Sequence, residues 1–175
     1  MLQAASKTIC SIRPFEQEWC GHLYDRFANT MVYPSVCNNL DDYHQQLIEN
    51  CESWIALREQ KIVGFIRLGW EAEFHEFKEE NIPQITNLAV LPEVRQQGIA
   101  TALISRVEPK ALRCKRRIGI GIPLSPARQE IQRLCFKRGF TPRTNGIFYQ
   151  GKPVTSDQQV TMNDDLLIYM VKNRL

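Results

Sequence analysis

The chain has 175 residues, of which 43% are hydrophobic and 23% are charged, and its 22 basic and 19 acidic side chains give a formal net charge of +3. This composition excludes intrinsic disorder, and the length corresponds to one domain of roughly 100–200 residues. We therefore expect a single domain over residues 1–175. The net charge is too small to indicate nucleic-acid binding on its own.

Neither a membrane span nor a secretion signal is expected. The longest uncharged apolar stretches are residues 118–124 and 166–171, whereas a membrane helix needs about 20 such residues. Residues 1–14 contain no apolar stretch of the kind found in secretory signals. The expected location is therefore cytoplasmic.

The cysteines show no metal-binding or disulfide pattern. No two of them form a C-x-x-C motif, and no cluster of histidines accompanies them. We expect reduced thiols that mostly fill the core, with neither a zinc site nor a disulfide framework. The six are Cys10, Cys20, Cys37, Cys51, Cys114 and Cys135.

The first third of the chain predicts one strand and two helices. Residues 8–13 alternate between polar and apolar side chains, which is typical of a short strand. Apolar residues recur at helical spacing over residues 19–27 and again over residues 40–48. Residues 31–39 lie between these two patterns, contain a proline and are predicted to form a loop.

A hairpin and an acidic segment follow. Residues 53–58 and 62–70 are strand-like runs on either side of a short polar turn at residues 59–61. This pattern predicts a β-hairpin. Residues 71–81 are polar, include five glutamates and are predicted to form a loop between strands.

The middle of the chain predicts a strand, a helix and a second strand. Residues 85–91 are strand-like and end at Pro92, and residues 98–108 have the apolar periodicity of a helix. Pro109 is expected to close this helix, because proline lacks a backbone N–H and clashes with the preceding turn. Residues 118–122 predict the next strand.

The last third predicts one helix and two strands. Ser125 followed by Pro126 is a favourable helix start, and Gly139 is expected to end that helix. Residues 140–148 and 166–172 are strand-like. The expected fold is therefore α/β of the α+β kind, with a mixed, mostly antiparallel central sheet of about seven strands flanked by about four helices.

The junction between the strand at residues 85–91 and the helix at residues 98–108 has the features of an anion site. The first N–H groups of a helix lack internal partners, and the helix dipole adds positive potential there, so such an end binds phosphate. Gly98 and Ala100 are small enough for a ligand to approach the main chain. Arg95 adds a cation to the loop.

The same segment carries a family resemblance. The run N-L-A-V-L-P-E-x-R-x-x-G-I-A-x-A-L at residues 87–103 resembles the acetyl-CoA-binding motif of the GNAT superfamily of N-acetyltransferases. The hairpin at residues 54–70, the helix end at residues 134–140 and the order of elements are also similar to those of the family. The resemblance covers about residues 8–172, and the C-terminal part is similar to a set of bacterial members.

The resemblance implies an acyltransferase that moves an acetyl group from acetyl-CoA directly to a primary amine of a small molecule or of a peptide or protein. It implies no metal, membrane or nucleic-acid partner, and a homodimer is compatible with it. The main chain of Leu88, Ala89 and Val90 would pair with the pantetheine arm and the thioester carbonyl. The residues implied to hold the diphosphate are Arg95, Gln96, Gln97, Gly98, Ile99, Ala100 and Thr101.

Two candidate catalytic positions depart from the family pattern. Cys135 stands where many relatives carry a tyrosine that acts as general acid toward the leaving thiolate. A thiol can donate a proton in principle, but we favour a packing role for this one. Gln84 stands near the place of a glutamate base in some relatives and cannot take up a proton usefully. These departures leave a non-catalytic acyl-CoA-binding module open as an alternative.

Two charged segments have a functional and a structural interpretation. The glutamates of residues 71–80 can attract a cationic amine and supply a base, with His75 as a further candidate base, or they can belong to a solvated loop. Residues 110–117 are basic and can meet the 3′-phosphate of coenzyme A or RNA, or form an exposed edge. An RNA- or ribosome-associated protein is therefore another alternative, and it predicts salt-dependent RNA binding.

Overall fold

The computed structural model describes residues 10–27, 50–143 and 146–174. Short 3-10 turns at Gln17–Trp19, Pro92–Val94 and Pro126–Arg128 precede three of the helices in these ranges. The helices are α1 (Cys20–Phe27), α2 (His75–Glu79), α3 (Ile99–Lys115) and α4 (Gln129–Lys137). The strands are β1 (Ser11–Pro14), β2 (Cys51–Arg58), β3 (Lys61–Gly69), β4 (Gln84–Val90), β5 (Arg117–Pro123), β6 (Thr141–Pro142), β7 (Phe148–Tyr149), β8 (Lys152–Pro153) and β9 (Leu166–Asn173).

The strands of the described residues form one mixed sheet. Their order is β1-β2-β3-β4-β5-β9-β7-β8, with β6 beside β9. β4 and β5 are parallel, whereas β1 with β2, β5 with β9, β6 with β9, β7 with β8 and β7 with β9 are antiparallel. This confirms the predicted mixed, mostly antiparallel sheet flanked by helices.

The described chain forms two compact units. The described residues of Met1–Arg67 and Asn87–Val107 form one, and those of Leu68–Thr86 and Glu108–Leu175 form the other. β3, β4 and α3 contribute residues to both.

In the first unit, β3 packs closely against the start of α3. A Cβ atom at Gly64 would lie 2.9 Å from Ile99 Cγ2 and 3.1 Å from Leu103 Cδ1. Ile99 and Leu103 are both buried, so a larger residue at Gly64 would push the helix away from the strand. This contact determines where α3 begins relative to the β2–β3 hairpin.

In the second unit, aromatic side chains pack over β5. Phe74 stacks on Tyr169 with ring centroids 3.6 Å apart, and Phe77 meets Tyr169 edge-on. Two glycines of β5 make room for these rings. A Cβ atom at Gly119 would overlap Phe77, and one at Gly121 would lie 2.8 Å from Tyr169 Cε1.

α3 continues through Pro109 to Lys115, so the prediction that Pro109 ends the helix is wrong. A proline inside a helix costs about 3 kcal/mol. The apolar face nevertheless continues on both sides of it, where Val107 and Ala111 are fully buried. The helix ends instead at Lys115, and the next residue, Arg116, has a left-handed φ of 62°.

Two further details differ from the predicted elements. The acidic segment is not a plain loop, because the buried Phe74 and Phe77 anchor it and α2 forms around them. Residues 140–148 do not form one strand, because Pro142 has no N–H to extend a ladder. The chain makes the short strands β6, β7 and β8 instead, so the sheet has more strands than predicted.

Several predicted elements are confirmed. β2 and β3 form the expected hairpin, whose turn has positive φ at Glu59 and Gln60 (50° and 63°). α1 occupies the first helical pattern and buries Leu23 and Phe27 completely. The predicted loop at residues 31–39 and helix at residues 40–48 lie outside the described residues.

The described cysteines are free thiols, and Cys37 lies outside the described residues. Across residues 10–27, 50–143 and 146–174, no helix combines the length and apolar character needed to cross a membrane.

Candidate active site

A compact turn follows β4. The Leu91 N–H donates to the Val63 carbonyl of β3 at 3.0 Å. The Val94 N–H then donates to the Leu91 carbonyl at 3.1 Å, and the Arg95 N–H donates to the Pro92 carbonyl at 3.3 Å. These bonds close the 3-10 turn and bring the chain from the end of β4 to the start of α3.

The start of α3 is open and presents main-chain N–H groups. Gln96 and Gly98 have left-handed φ values of 59° and 83°, and no atom of the described chain lies within 4 Å of a Cβ atom built on Gly98. The Ala102 N–H donates to the Gly98 carbonyl at 2.9 Å, which is the first turn of the helix. The three N–H groups of residues 99–101 therefore have no acceptor within α3, and the helix dipole makes this end favourable for an anion.

Two arginines brace this loop. Arg95 Nε donates to the Val90 carbonyl at 3.1 Å, so its guanidinium is held against the end of β4. Arg58, the last residue of β2, donates from Nη2 to Gln97 Oε1 at 2.7 Å. Among the described residues the buried Nε of Arg58 has no hydrogen-bond partner. Arg58 was not among the predicted site residues, because only the fold brings the β2–β3 hairpin to this loop.

The end of β4 extends beyond its pairing with β5. Among the described residues, the parallel register of β4 with β5 covers two residue pairs, although β4 continues to Val90. The main chain of Leu88, Ala89 and Val90 is therefore not part of that ladder, and a peptide-like ligand could pair with it. The two pairs are Gln84↔Gly119 and Ile85↔Ile120.

Cys135 is fully buried on α4. Burial is the main cause that raises the pKa of its thiol to about 12, Arg138 opposes this rise in part, and Glu108 adds a smaller rise. The Cys135 carbonyl accepts N–H groups from Arg138 at 3.1 Å and Phe140 at 3.0 Å, which close the helix around Gly139. This placement favours packing over proton transfer.

Gln84 is a buried hydrogen-bond acceptor. Its Oε1 accepts the main-chain N–H of Glu73 at 3.1 Å and that of Phe74 at 3.0 Å, and the residue is 6% exposed. The amide therefore ties the acidic segment to β4. A side chain used in this way is a structural tether with no proton to exchange.

Several charged side chains of the acidic segment (residues 71–80) and the basic segment (residues 110–117) form pairs with other side chains of the chain. In the acidic segment, two arginines hold the pKa of Glu80 below its usual range. In the basic segment, the Lys110 ammonium lies 5.6 Å from the centre of the Trp70 ring. The ionic or hydrogen-bonded pairs are Glu71–Lys78, His75–Glu79, Glu80–Arg117, Glu80–Arg143 and Lys115–Asn81. These contacts favour the structural interpretation for both segments.

Within the described part of the chain, no group of three or more His, Cys, Asp or Glu side chains is placed to hold a metal ion. The candidate site thus consists of main-chain donors, a helix end and the side chains that brace them. Such a site suits a ligand with an anionic phosphate portion and an amide-containing arm.

Comparison with known proteins identifies the class of protein as an acetyltransferase. The sequence profile described as the Acetyltransferase (GNAT) family matches residues 14–140. The chain belongs to this family, whose members transfer an acyl group from acetyl-CoA, their co-substrate, to an amine. A comparison with curated protein sequences finds no significant match.

Solved structures with the same fold come from several bacteria. A ribosomal-protein-alanine N-acetyltransferase from Brucella melitensis has 21% identity and a TM-score of 0.68, over 93% of this chain and 99% of that one. The ribosomal-protein-S18-alanine N-acetyltransferase from Escherichia coli has 16% identity and a TM-score of 0.67, over 94% of each chain. A chimeric spermidine N-acetyltransferase from Vibrio cholerae and hSSAT has 13% identity and a TM-score of 0.63, over 94% of this chain and 95% of that one. At these identities the likeness concerns the fold.

Proposed function

We propose that the protein transfers the acetyl group of acetyl-CoA directly to a primary amine of a small molecule or of a peptide or protein. The amine nitrogen attacks the thioester carbonyl, the C–N bond forms, and coenzyme A leaves as its thiolate. No acyl-enzyme intermediate is required, because both substrates are held together. Negative charge develops on the carbonyl oxygen during the attack, and a main-chain N–H donor stabilises it.

The open start of α3 carries this proposal. Its N–H groups face a space that no side chain of the described residues fills at Gly98, which suits the diphosphate of coenzyme A. Arg58 holds Gln97 and Arg95 holds the end of β4, so the loop is formed before the ligand arrives. The residues we assign to the diphosphate are Arg95, Gln96, Gln97, Gly98, Ile99, Ala100 and Thr101.

The part of β4 beyond its pairing with β5 supports the second half of the proposed co-substrate site. The pantetheine arm contains two amide groups, which can pair with a strand as another strand would. We assign this role to the main chain of Leu88, Ala89 and Val90. One N–H of the three would donate to the thioester carbonyl.

Proton transfer in this proposal does not use Cys135 or Gln84. The thiol of Cys135 is buried, and the amide of Gln84 holds two main-chain N–H groups. The thiolate of coenzyme A is a fair leaving group near neutral pH, because thiols have pKa values of about 8.5. The attacking amine would lose its proton to water or to a carboxylate.

The whole chain is proposed to act as one N-acetyltransferase domain in the cytoplasm. The family match at residues 14–140 includes parts of both compact units, and the solved relatives cover more than nine-tenths of the chain. The names of those relatives include a ribosomal-protein alanine and spermidine as acceptors. Both a protein amine and a small amine are therefore retained as acceptor classes.

The test is an acetyl-CoA turnover assay combined with binding measurements. Calorimetry with coenzyme A should show stoichiometric binding, and an amine panel should release free thiol from acetyl-CoA above the rate without amine. Binding without thiol release for any amine would favour a non-catalytic acyl-CoA-binding module. Absence of coenzyme A binding would overturn the proposal.

A further inference from the structure

Arg58 is a cation whose hydrogen bonds are incomplete in the described chain. Within residues 10–27, 50–143 and 146–174, its guanidinium donates from Nη2 to Gln97 Oε1 at 2.7 Å, and its buried Nε has no hydrogen-bond partner. No carboxylate of these ranges forms an ion pair with it. A buried donor of a charged group normally has an acceptor, because an unpaired one loses its hydration without compensation. The guanidinium therefore retains the capacity to bind an anion.

The packing of the first unit holds this guanidinium at the loop before α3. Arg58 ends β2, and the tight turn at residues 59–60 joins it directly to β3. In β3, a Cβ atom at Gly64 would lie 2.9 Å from Ile99 Cγ2, so the hairpin and the first residue of α3 are in close contact. Because Gln97 precedes Ile99 by two residues, the end of β2 lies beside the same loop that presents the free N–H groups of α3.

The neutral amide of Gln97 is a weaker partner for Arg58 than a phosphate. Gln97 lies between Gln96 and Gly98, whose φ values of 59° and 83° are left-handed, and no atom of the described chain fills the space beside Gly98. A phosphate attracts the guanidinium by its charge and can accept two parallel N–H bonds, whereas the amide oxygen carries no net charge. An anion at the start of α3 would therefore draw Arg58 away from Gln97.

We propose that Arg58 is a further co-substrate-binding residue, which releases Gln97 and donates to a phosphate oxygen of the diphosphate. This inference rests on the proposed acetyl transfer, and it adds a residue from the β2–β3 hairpin, outside the segment at residues 87–103. Turning toward the phosphate also lets Nε reach an acceptor, because two N–H groups of the guanidinium fork can pair with one phosphate. Gln97 acts as a positioning residue that holds Arg58 at the loop until the diphosphate binds.

The test separates a direct contact with phosphate from an effect through Gln97. Arg58→Met keeps the apolar stem of the side chain and removes the guanidinium, whereas Gln97→Met removes only the amide that Arg58 holds. The double variant completes a thermodynamic cycle. The control is Arg13→Met, because Arg13 is an exposed cation of β1 in the same unit. Calorimetry measures the affinity of each variant for coenzyme A, and inorganic diphosphate is tested as a competitor.

Arg58→Met should lose about tenfold in affinity for coenzyme A, as expected for one lost hydrogen bond between charged groups. Inorganic diphosphate should compete less well in this variant than in wild type. Gln97→Met should lose less than about threefold, and Arg58→Met should still cost at least about threefold in the Gln97→Met background. The melting temperature of Arg58→Met should not fall, because the substitution removes an unpaired buried donor. Arg13→Met should stay within about twofold of wild type.

Two results would overturn the inference while leaving the proposed function intact. One is unchanged affinity for coenzyme A in Arg58→Met. The other is an equal loss in Arg58→Met and Gln97→Met with no further loss in the double variant, which would mean that Arg58 acts only through Gln97. If Arg58→Met does not fold, Arg58→Lys replaces it, since lysine keeps the charge without the fork, and unchanged affinity there overturns the inference. Absence of coenzyme A binding by wild type would instead overturn the proposed function.

Discussion

Gly98→Val is the sharpest test of the proposed co-substrate site. Gly98 has a φ of 83°, and a Cβ atom there would meet no atom of the described chain within 4 Å. The substitution therefore creates no clash inside the described protein, and its two effects can be separated. One is backbone strain, and the other is a side chain placed in the space assigned to the diphosphate.

The strain has a predictable size. An L-residue in the left-handed region costs about 1–2 kcal/mol, and each kcal/mol lowers the melting temperature by about 2–4 °C in a chain of this length. The affinity for coenzyme A should fall at least about tenfold, which corresponds to about 1.4 kcal/mol. Calorimetry with coenzyme A and thermal melts measure the two effects on the same preparation.

Gly151→Val is the matched control. Gly151 has a φ of 75°, and it also has no atom of the described chain within 4 Å of a Cβ atom, but it lies in the turn between β7 and β8. It should show a similar loss of melting temperature and unchanged coenzyme A affinity. Unchanged affinity in Gly98→Val would refute the assignment of the diphosphate to the start of α3. Equal losses in both variants would show that destabilisation alone explains the effect.

Four further substitutions test the surrounding contacts. Arg95→Ala should weaken coenzyme A binding less than Gly98→Val, because the main-chain donors remain, and calorimetry gives the order. Arg58→Met should weaken it about three- to tenfold, because Gln97 loses its charged partner. The same variant should use S-acetyl-N-acetylcysteamine, which lacks the diphosphate, as well as wild type does. Cys135→Ala should lower the melting temperature by a few degrees and turnover by less than about twofold, because the buried thiol packs in the core and takes no part in proton transfer. Glu80→Gln should lower the melting temperature near neutral pH, because Arg117 and Arg143 pair with the carboxylate and depress its pKa in the folded state. The effect should shrink as the pH falls below the unfolded-state pKa of 4.5, since the stabilising charge is then lost by protonation.

Each of these has a contrary result that would count against the reasoning. Abolished binding in Arg95→Ala with retained binding in Gly98→Val would mean that side chains, not main-chain donors, hold the ligand. A matching loss with the short thioester would remove the loop-bracing role of Arg58. A drop of a hundredfold or more in kcat for Cys135→Ala, at unchanged melting temperature, would make that thiol a general acid. A pH-independent effect of Glu80→Gln would show that its charge contributes nothing to stability.

Local sequence was sufficient to predict the strand, turn and helix that build the proposed co-substrate site. Pro92 ends β4, Gly98 permits a left-handed φ, and the apolar periodicity of the following residues defines the first turns of α3. These properties act over a few residues and need no knowledge of the rest of the fold. The β2–β3 hairpin is predictable for the same reason, because its turn and its alternating strands are adjacent in the chain.

Contacts between residues that are distant in the chain decided which side chains pair, both at the proposed site and elsewhere in the fold. Arg58 and Gln97 are 39 residues apart in the chain, and only the packing of the hairpin beside the loop brings them together. Ser125 was expected to cap α4, but its hydroxyl donates at 2.7 Å to Asp164, which is also 39 residues away. Neither pairing has a local signal, since hydrogen-bond partners of this kind are chosen by whichever groups the fold brings within reach.

The tertiary structure also overrode local conformational preferences at positions where side chains are buried. α3 passes through Pro109 because Val107 and Ala111 on either side of it are buried. Tyr169 reads as an ordinary strand residue in the sequence, and its place above Gly121 depends on the antiparallel register of β5 and β9. The sequence by itself therefore determined the local elements and the turn that we propose as the anion site. The tertiary structure decided which side chains meet there, because burial and strand register sum interactions over residues that are far apart in the chain.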